Sequence, residues 1–195
     1  MGMNGHLIIA TLRLSLQSPR QAARVVIGWP LSAGEYWTFL ALTAVLSAVL
    51  MSMQTAPTPD QIYPFMEMIP TSPIGLAIFQ FAGLVLSALM IFVGGRVFGG
   101  TGGFLQGLAV ISWLQVMQFV LLLAQIVLML LLPPLAGLVL LASLALILWT
   151  VPNFIAELHG FRSAIATFFG MIATFIVAAV VLSVLIVLLF GPLVA

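Results

Sequence analysis

Four stretches of the chain contain no charged side chain at all: residues 36–59, 68–95, 97–156 and 163–195. A charge at the centre of a bilayer costs about 2.5–3.5 kcal/mol even on the insertion scale, so uncharged apolar runs of this length mark where a chain can cross lipid. A spanning helix needs about 20 residues. The first, second and fourth runs hold one helix each. The third has room for two, with Pro133 and Pro134 of "LLPPLAG" turning the chain between them. The pattern predicts an all-α, polytopic integral membrane protein with spans at 35–54, 73–94, 104–131, 135–157 and 164–190.

With five spans, Arg13, Arg20, Arg24, Arg96 and Arg162 all fall on one side of the membrane. The segments assigned to the other side, 55–72 and 132–135, carry no arginine, and the first of them carries Asp60 and Glu67. The positive-inside rule then puts the N-terminus in the cytoplasm and the C-terminus across the membrane, most simply in a bacterial inner membrane. A span miscounted by one would scatter the arginines.

Composition excludes several functions. Only 5% of the residues are charged and the net charge is +1, which leaves no basic face for nucleic acid. The chain has no cysteine, hence no thiolate nucleophile, disulfide or Cys-ligated zinc. "ELHG" lacks the second histidine of a zinc helix, and two histidines need further ligands to hold a metal. No cofactor or catalytic residue is expected. Asp60 and Glu67 are too few for a metal site, and their proline-rich segment is expected to lie at the membrane interface or over the bundle.

The N-terminal stretch does not read as a signal peptide, because Arg13 interrupts "LIIATLRLSL" (residues 7–16) and no small-residue cleavage site follows a clean apolar core; this part of the chain is expected to be retained. His6 stands where a myristoylation signal needs Ser or Thr. In "SPRQAARVVIG", Ser18 is placed as N-cap and Pro19 at the first helical position. Arg20 and Arg24 share one face, opposite Ala23, Val26 and Ile27. This reads as a short amphipathic helix on the inner leaflet; the plainer alternative is a cytoplasmic extension of the first span. The chain thus divides into an interfacial segment, 1–34, and a five-helix domain, 35–195.

"GGRVFGGTGG", residues 94–103, invites a nucleotide-binding reading and fails it. A Walker loop needs a lysine after its second glycine, and the chain has no lysine. In the dinucleotide spacing counted from Gly100, the third glycine would be residue 105, which is leucine. The glycines are instead expected to close a tight hairpin between spans two and three, with Arg96 in the headgroup layer, where gripping an anionic lipid would be a secondary role.

The stretches "GGTGGFLQGLAVISW" and "LWTVPNFIAELHGFRSAIATFFG", with "SPRQAARVVI" before them, resemble the Yip1 family of five-span membrane proteins over Ser18 to Leu189. The resemblance implies a five-helix bundle with a cytoplasmic N-terminus. Eukaryotic members act in vesicle trafficking and bind Rab GTPases and one another. Their Asp-Leu-Tyr-Gly-Pro motif does not occur in this sequence, so GTPase binding is not carried over.

Polar residues inside spans point to helix contacts or water. Gln115, Gln118 and Gln125 fall within an arc of roughly 80° on span three, with Ser87, Ser143 and Thr174 as expected partners. The stripe reads as interhelical hydrogen bonding, or as a polar path for a solute or ion. Arg96, Gln106, Asn153, Glu157, His159 and Arg162 form a second cluster near the cytoplasmic ends. Pro152 is expected to kink span four, and Glu157 to pair with Arg96 or Arg162, as a clasp between hairpins or as a proton or ligand site. Ala166, Gly170, Thr174 and Ala178, four apart, make a small-residue ridge for close packing inside the bundle or in a dimer, and Gly83 and Ser87 offer a short match.

The reading that follows is a non-catalytic membrane protein of Yip1 type, with membrane lipids, other membrane proteins or a second copy as partners. The alternative is a small-solute permease or channel using the stripe on span three.

Overall fold

The computed structural model describes residues 5–54, 70 and 72–190. Among them lie seven α-helices and no strand. Two short helices, α1 (Gly5–Gln17) and α2 (Pro19–Ile27), precede five long ones: α3 (Ala33–Gln54), α4 (Pro73–Val97), α5 (Phe104–Leu131), α6 (Pro133–His159) and α7 (Ala164–Phe190). The five long helices are each long and apolar enough to cross a membrane. Asp60, Glu67 and the proline-rich segment around them fall outside the described residues.

Local chemistry sets the helix ends. Before α3, the Glu35 carboxylate accepts from the Ser32 backbone N–H and hydroxyl, each at 2.7 Å. With the Glu35 N–H facing the Ser32 hydroxyl at 3.4 Å, this is a capping box. Ser72 caps α4 by accepting from the Gly75 N–H at 3.1 Å, and Pro73 takes the first helical position. Pro133 starts α6 in the same way. α6 runs without a break past Pro152 to His159, where Gly160 turns into the left-handed region (φ 74°). The Phe161 N–H then reaches back to the Ala156 carbonyl at 2.7 Å, as a Schellman ending requires.

α2 forms where expected, with Ser18 before Pro19 but without a side-chain capping bond. Its apolar face, expected to rest on the leaflet, is instead turned to the bundle. Ala22, Ala23 and Val26 are fully buried, in one cluster with Leu108 and Trp113 of α5 and Phe154 and Leu158 of α6. The apolar face is covered by protein, because two adjacent alanines let the α2 backbone come close to α6.

Of the two short helices, α1 is the one that leaves large apolar side chains uncovered, with Leu7, Ile9 and Leu16 exposed. Its hydroxyl residues do the opposite. Thr11 and Ser15 are buried, and the Trp113 indole N–H donates to the Ser15 hydroxyl at 2.9 Å. Arg13, which breaks the apolar run in the sequence, is on the exposed side of α1.

The tight core therefore sits at one end of the bundle, where α2, the first half of α5 and the last turns of α6 meet. Trp29 stands edge-on to Trp113, with ring centroids 5.5 Å apart, and to Phe39 at 5.9 Å. Such pairs add about 0.5–1.5 kcal/mol each beyond their burial. The Tyr36 hydroxyl donates to the Trp29 carbonyl at 3.1 Å. Away from this end, Leu130, Leu131, Leu138 and Leu141 are exposed, as side chains that face lipid tails can be without penalty.

Candidate binding groove

The end of α6 is held from two sides, by α2 and by the glycine-rich turn. From α2, the Arg20 Nε donates to Asn153 Oδ1 at 3.3 Å, and its Nη2 to the Arg162 carbonyl at 2.9 Å. Arg24 pairs with Glu157, Nε to Oε1, at 2.5 Å. The carboxylate beside it holds the Arg24 guanidinium above its ordinary range. Glu157 thus takes neither Arg96 nor Arg162. The reason is the packing of α2 on α6, which brings one arginine to each of the two residues a turn apart, Asn153 and Glu157. Arg96 lies over the Phe92 ring at 5.5 Å, a cation–π contact within its own helix.

The glycine-rich turn holds the other side. His159 is buried and its Nδ1 accepts from the Gly102 N–H at 3.2 Å, which places the proton of the neutral ring on Nε2. Nε2 is buried without a hydrogen-bond partner among the described residues. Phe161 stacks on the ring at 5.5 Å. A Cβ added at Gly95 would fall on the imidazole, and one at Gly100 would stand 2.6 Å from the His159 Cβ. At Gly102 the obstacle is the Leu158 carbonyl, 2.8 Å away. Residues 94–103 therefore do close a hairpin, with Gly99 at φ 81°, and several of their glycines are there to admit a histidine. Gln106 stays apart, its Oε1 accepting the Gly103 N–H at the start of α5 at 3.1 Å.

The glutamine stripe is divided by its surroundings. Gln115 is buried and donates to the Ser47 hydroxyl of α3 at 2.6 Å, a partner that the sequence reading did not name. Ser87 and Thr174 instead bond their own helix, to the Gly83 and Gly170 carbonyls. The Ser143 hydroxyl is buried without a partner among the described residues. Gln118 is exposed and Gln125 half-buried. One face of α5 meets α3 and the next meets open space, so the three residues do not act as one path.

That open space is the main cavity. α7 leans on α6 and α4 and stands away from α5, leaving a groove of about 1060 Å³. Gly83, Ser87 and Gly94 of α4 form one wall, and Ala166, Gly170 and Thr174 of α7 the other. Leu114 and Gln118 of α5 lie at its floor, and Arg162 stands at the α6–α7 turn. The two walls meet where Gly94 faces Thr174, so closely that a Cβ there would stand 2.7 Å from the threonine. Gly170 likewise faces the Phe98 ring, 3.6 Å from where its Cβ would be. The ridge of α7 is in part a seam with α4 and in part a groove wall. Ala178, at its far end, is not among the lining residues. Sequence reading saw both small-residue ridges but not that they face each other across a gap, since nothing in either helix fixes its distance from α5.

The Yip1 domain matches residues 13–191. The chain belongs to the Yip1 family. The match runs from the last residues of α1 through α7, so α2 and the groove lie within the family domain. No curated protein and no solved structure matches the chain.

Proposed function

We propose that this Yip1 family protein is a non-catalytic integral membrane protein of the bacterial cytoplasmic membrane, with its N-terminus in the cytoplasm, whose α4–α7 groove holds a lipid or protein partner. A broad role in membrane organisation or trafficking accords with the family. The observation that carries the reading is the groove itself. It is open, of a size at the upper end of ligand sites, and lined along α4 and α7 by small residues among larger apolar ones, where α7 stands away from α5. Arg20, Arg24 and the glycine-rich turn lock α6 at one end, which supports a rigid frame beside a looser α7. A photo-crosslinking residue at Gly83 or Ala166, irradiated in native membranes, should give discrete adducts. The same residue at Leu138, on the exposed face of α6, should give only bulk lipid. Equal labelling at the three positions would sink the proposal.

A second reading, passage of a small solute, is favoured by the polar side chains of Gln80, Ser87, Gln118 and Thr174 along the groove. It predicts solute flux into vesicles holding the purified protein, reduced by Gln118→Leu. Intact vesicles that stay impermeable to small polar solutes would remove it.

A further inference from the structure

We propose that the groove takes an anionic glycerophospholipid, acyl chains between α4 and α7 and phosphate at the Arg162 guanidinium. The inference rests on the groove-binding reading above and adds the class of ligand and its orientation.

Charge points to the headgroup. Among the described residues Arg162 is the one charged residue lining the groove, and none of them brings a carboxylate there to neutralise the arginine. The other arginines near this end are engaged. Arg20 is held by Asn153 and the Arg162 carbonyl, Arg24 by Glu157, and Arg96 lies over Phe92. The Arg162 guanidinium makes no hydrogen bond or ion pair among the described residues, although its own carbonyl anchors the turn. It sits in the turn between the end of one span at His159 and the start of the next at Ala164. A guanidinium matches a phosphate with two parallel hydrogen bonds.

Shape points to acyl chains. Beyond Arg162 the α7 wall offers Ala166, Gly170, Met171 and Phe175, and the few polar side chains elsewhere in the lining, such as Gln118 and Thr174, add no further charge among the described residues. A partner helix does not fit as well. Flexible chains can follow the narrowing where Gly94 meets Thr174, whereas a rigid helix cannot.

The test uses the full chain in nanodiscs of phosphatidylcholine with a minority of phosphatidylglycerol, extracted into mild detergent and read by native mass spectrometry. The wild type should retain phosphatidylglycerol in preference to phosphatidylcholine. Arg162→Gln should lower that preference about fivefold, the effect of one basic side chain at a lipid surface, and Arg162→Lys should keep most of it. Gly83→Trp fills the groove from a position whose Cβ meets nothing within 4 Å. It should release both lipids while the thermal unfolding temperature holds. Equal retention of the two lipids, or an Arg162→Gln preference unchanged from wild type, would overturn the headgroup assignment and leave the groove reading standing. Retention untouched by Gly83→Trp would overturn both. Cross-linking of a second copy through the groove would overturn the lipid and keep the reading of a partner site.

Discussion

Gly95→Ala puts a methyl group into the imidazole of His159. Neither side can yield easily, since Gly95 is inside α4 and His159 is enclosed by Gly100, Gly102 and Phe161. Overpacking of this kind costs about 1–3 kcal/mol, and thermal unfolding in detergent should show it. The combined Gly95→Ala/His159→Ala variant should be no less stable than His159→Ala alone, because the clash disappears with the ring. Ser15→Ala poses a different question. It leaves the buried Trp113 indole N–H without its acceptor, at a cost of about 1–3 kcal/mol, and the same unfolding measurement checks it. In the sequence a glycine-rich stretch and a lone histidine 57 positions on carry no sign of each other. Only the backbone approach of α4 to α6 pairs them.

Among the elements, α2 is the one whose role differs most from its sequence pattern. Its polar and apolar faces suggest a helix on a lipid surface, yet three fully buried residues fix it to α5 and α6. Packing, rather than charge, should dominate its attachment. Ala23→Leu should destabilise the protein by about 1–3 kcal/mol. Arg24→Ala should change denaturant stability much less, since the Arg24 side chain is 68% exposed and exposed ion pairs contribute little. If Arg24→Ala proved the more damaging, α2 would be held by its ion pair and not by its alanines. α1 shows the converse: a run broken by Arg13 in the sequence becomes a helix with that arginine outward and its hydroxyl residues inward.

For the molecule as a whole, the arrangement of spans makes a test of topology simple, because the chain has no native cysteine. Single cysteines at Thr101 and Ser163, both exposed, should react with an impermeant maleimide from the same side of the membrane, and one at Leu135 from the other. Thr101 and Ser163 labelling from opposite sides would break the five-span account. The bundle is tight at the end where α2, α5 and α6 meet and open where α7 departs from α5, so binding is expected at the open side and stability at the closed one.

The number, limits and apolar character of the spans were set by the sequence itself. The cost of placing charge in lipid is paid residue by residue, and the arginines and prolines that bound each span can be counted without knowing any neighbour. The Ser32–Glu35 capping box, the Pro133 start and the Gly160 stop emerge only with the structure, although each is a contact within a few residues that local sequence carries. The partners of Glu157, Gln115 and His159, the burial of α2 and the groove beside α7 were decided only by tertiary structure. In lipid, polarity says that a side chain must turn inward but not toward which helix. That choice depends on how closely backbones approach, which is a property of two helices together and is written in neither alone.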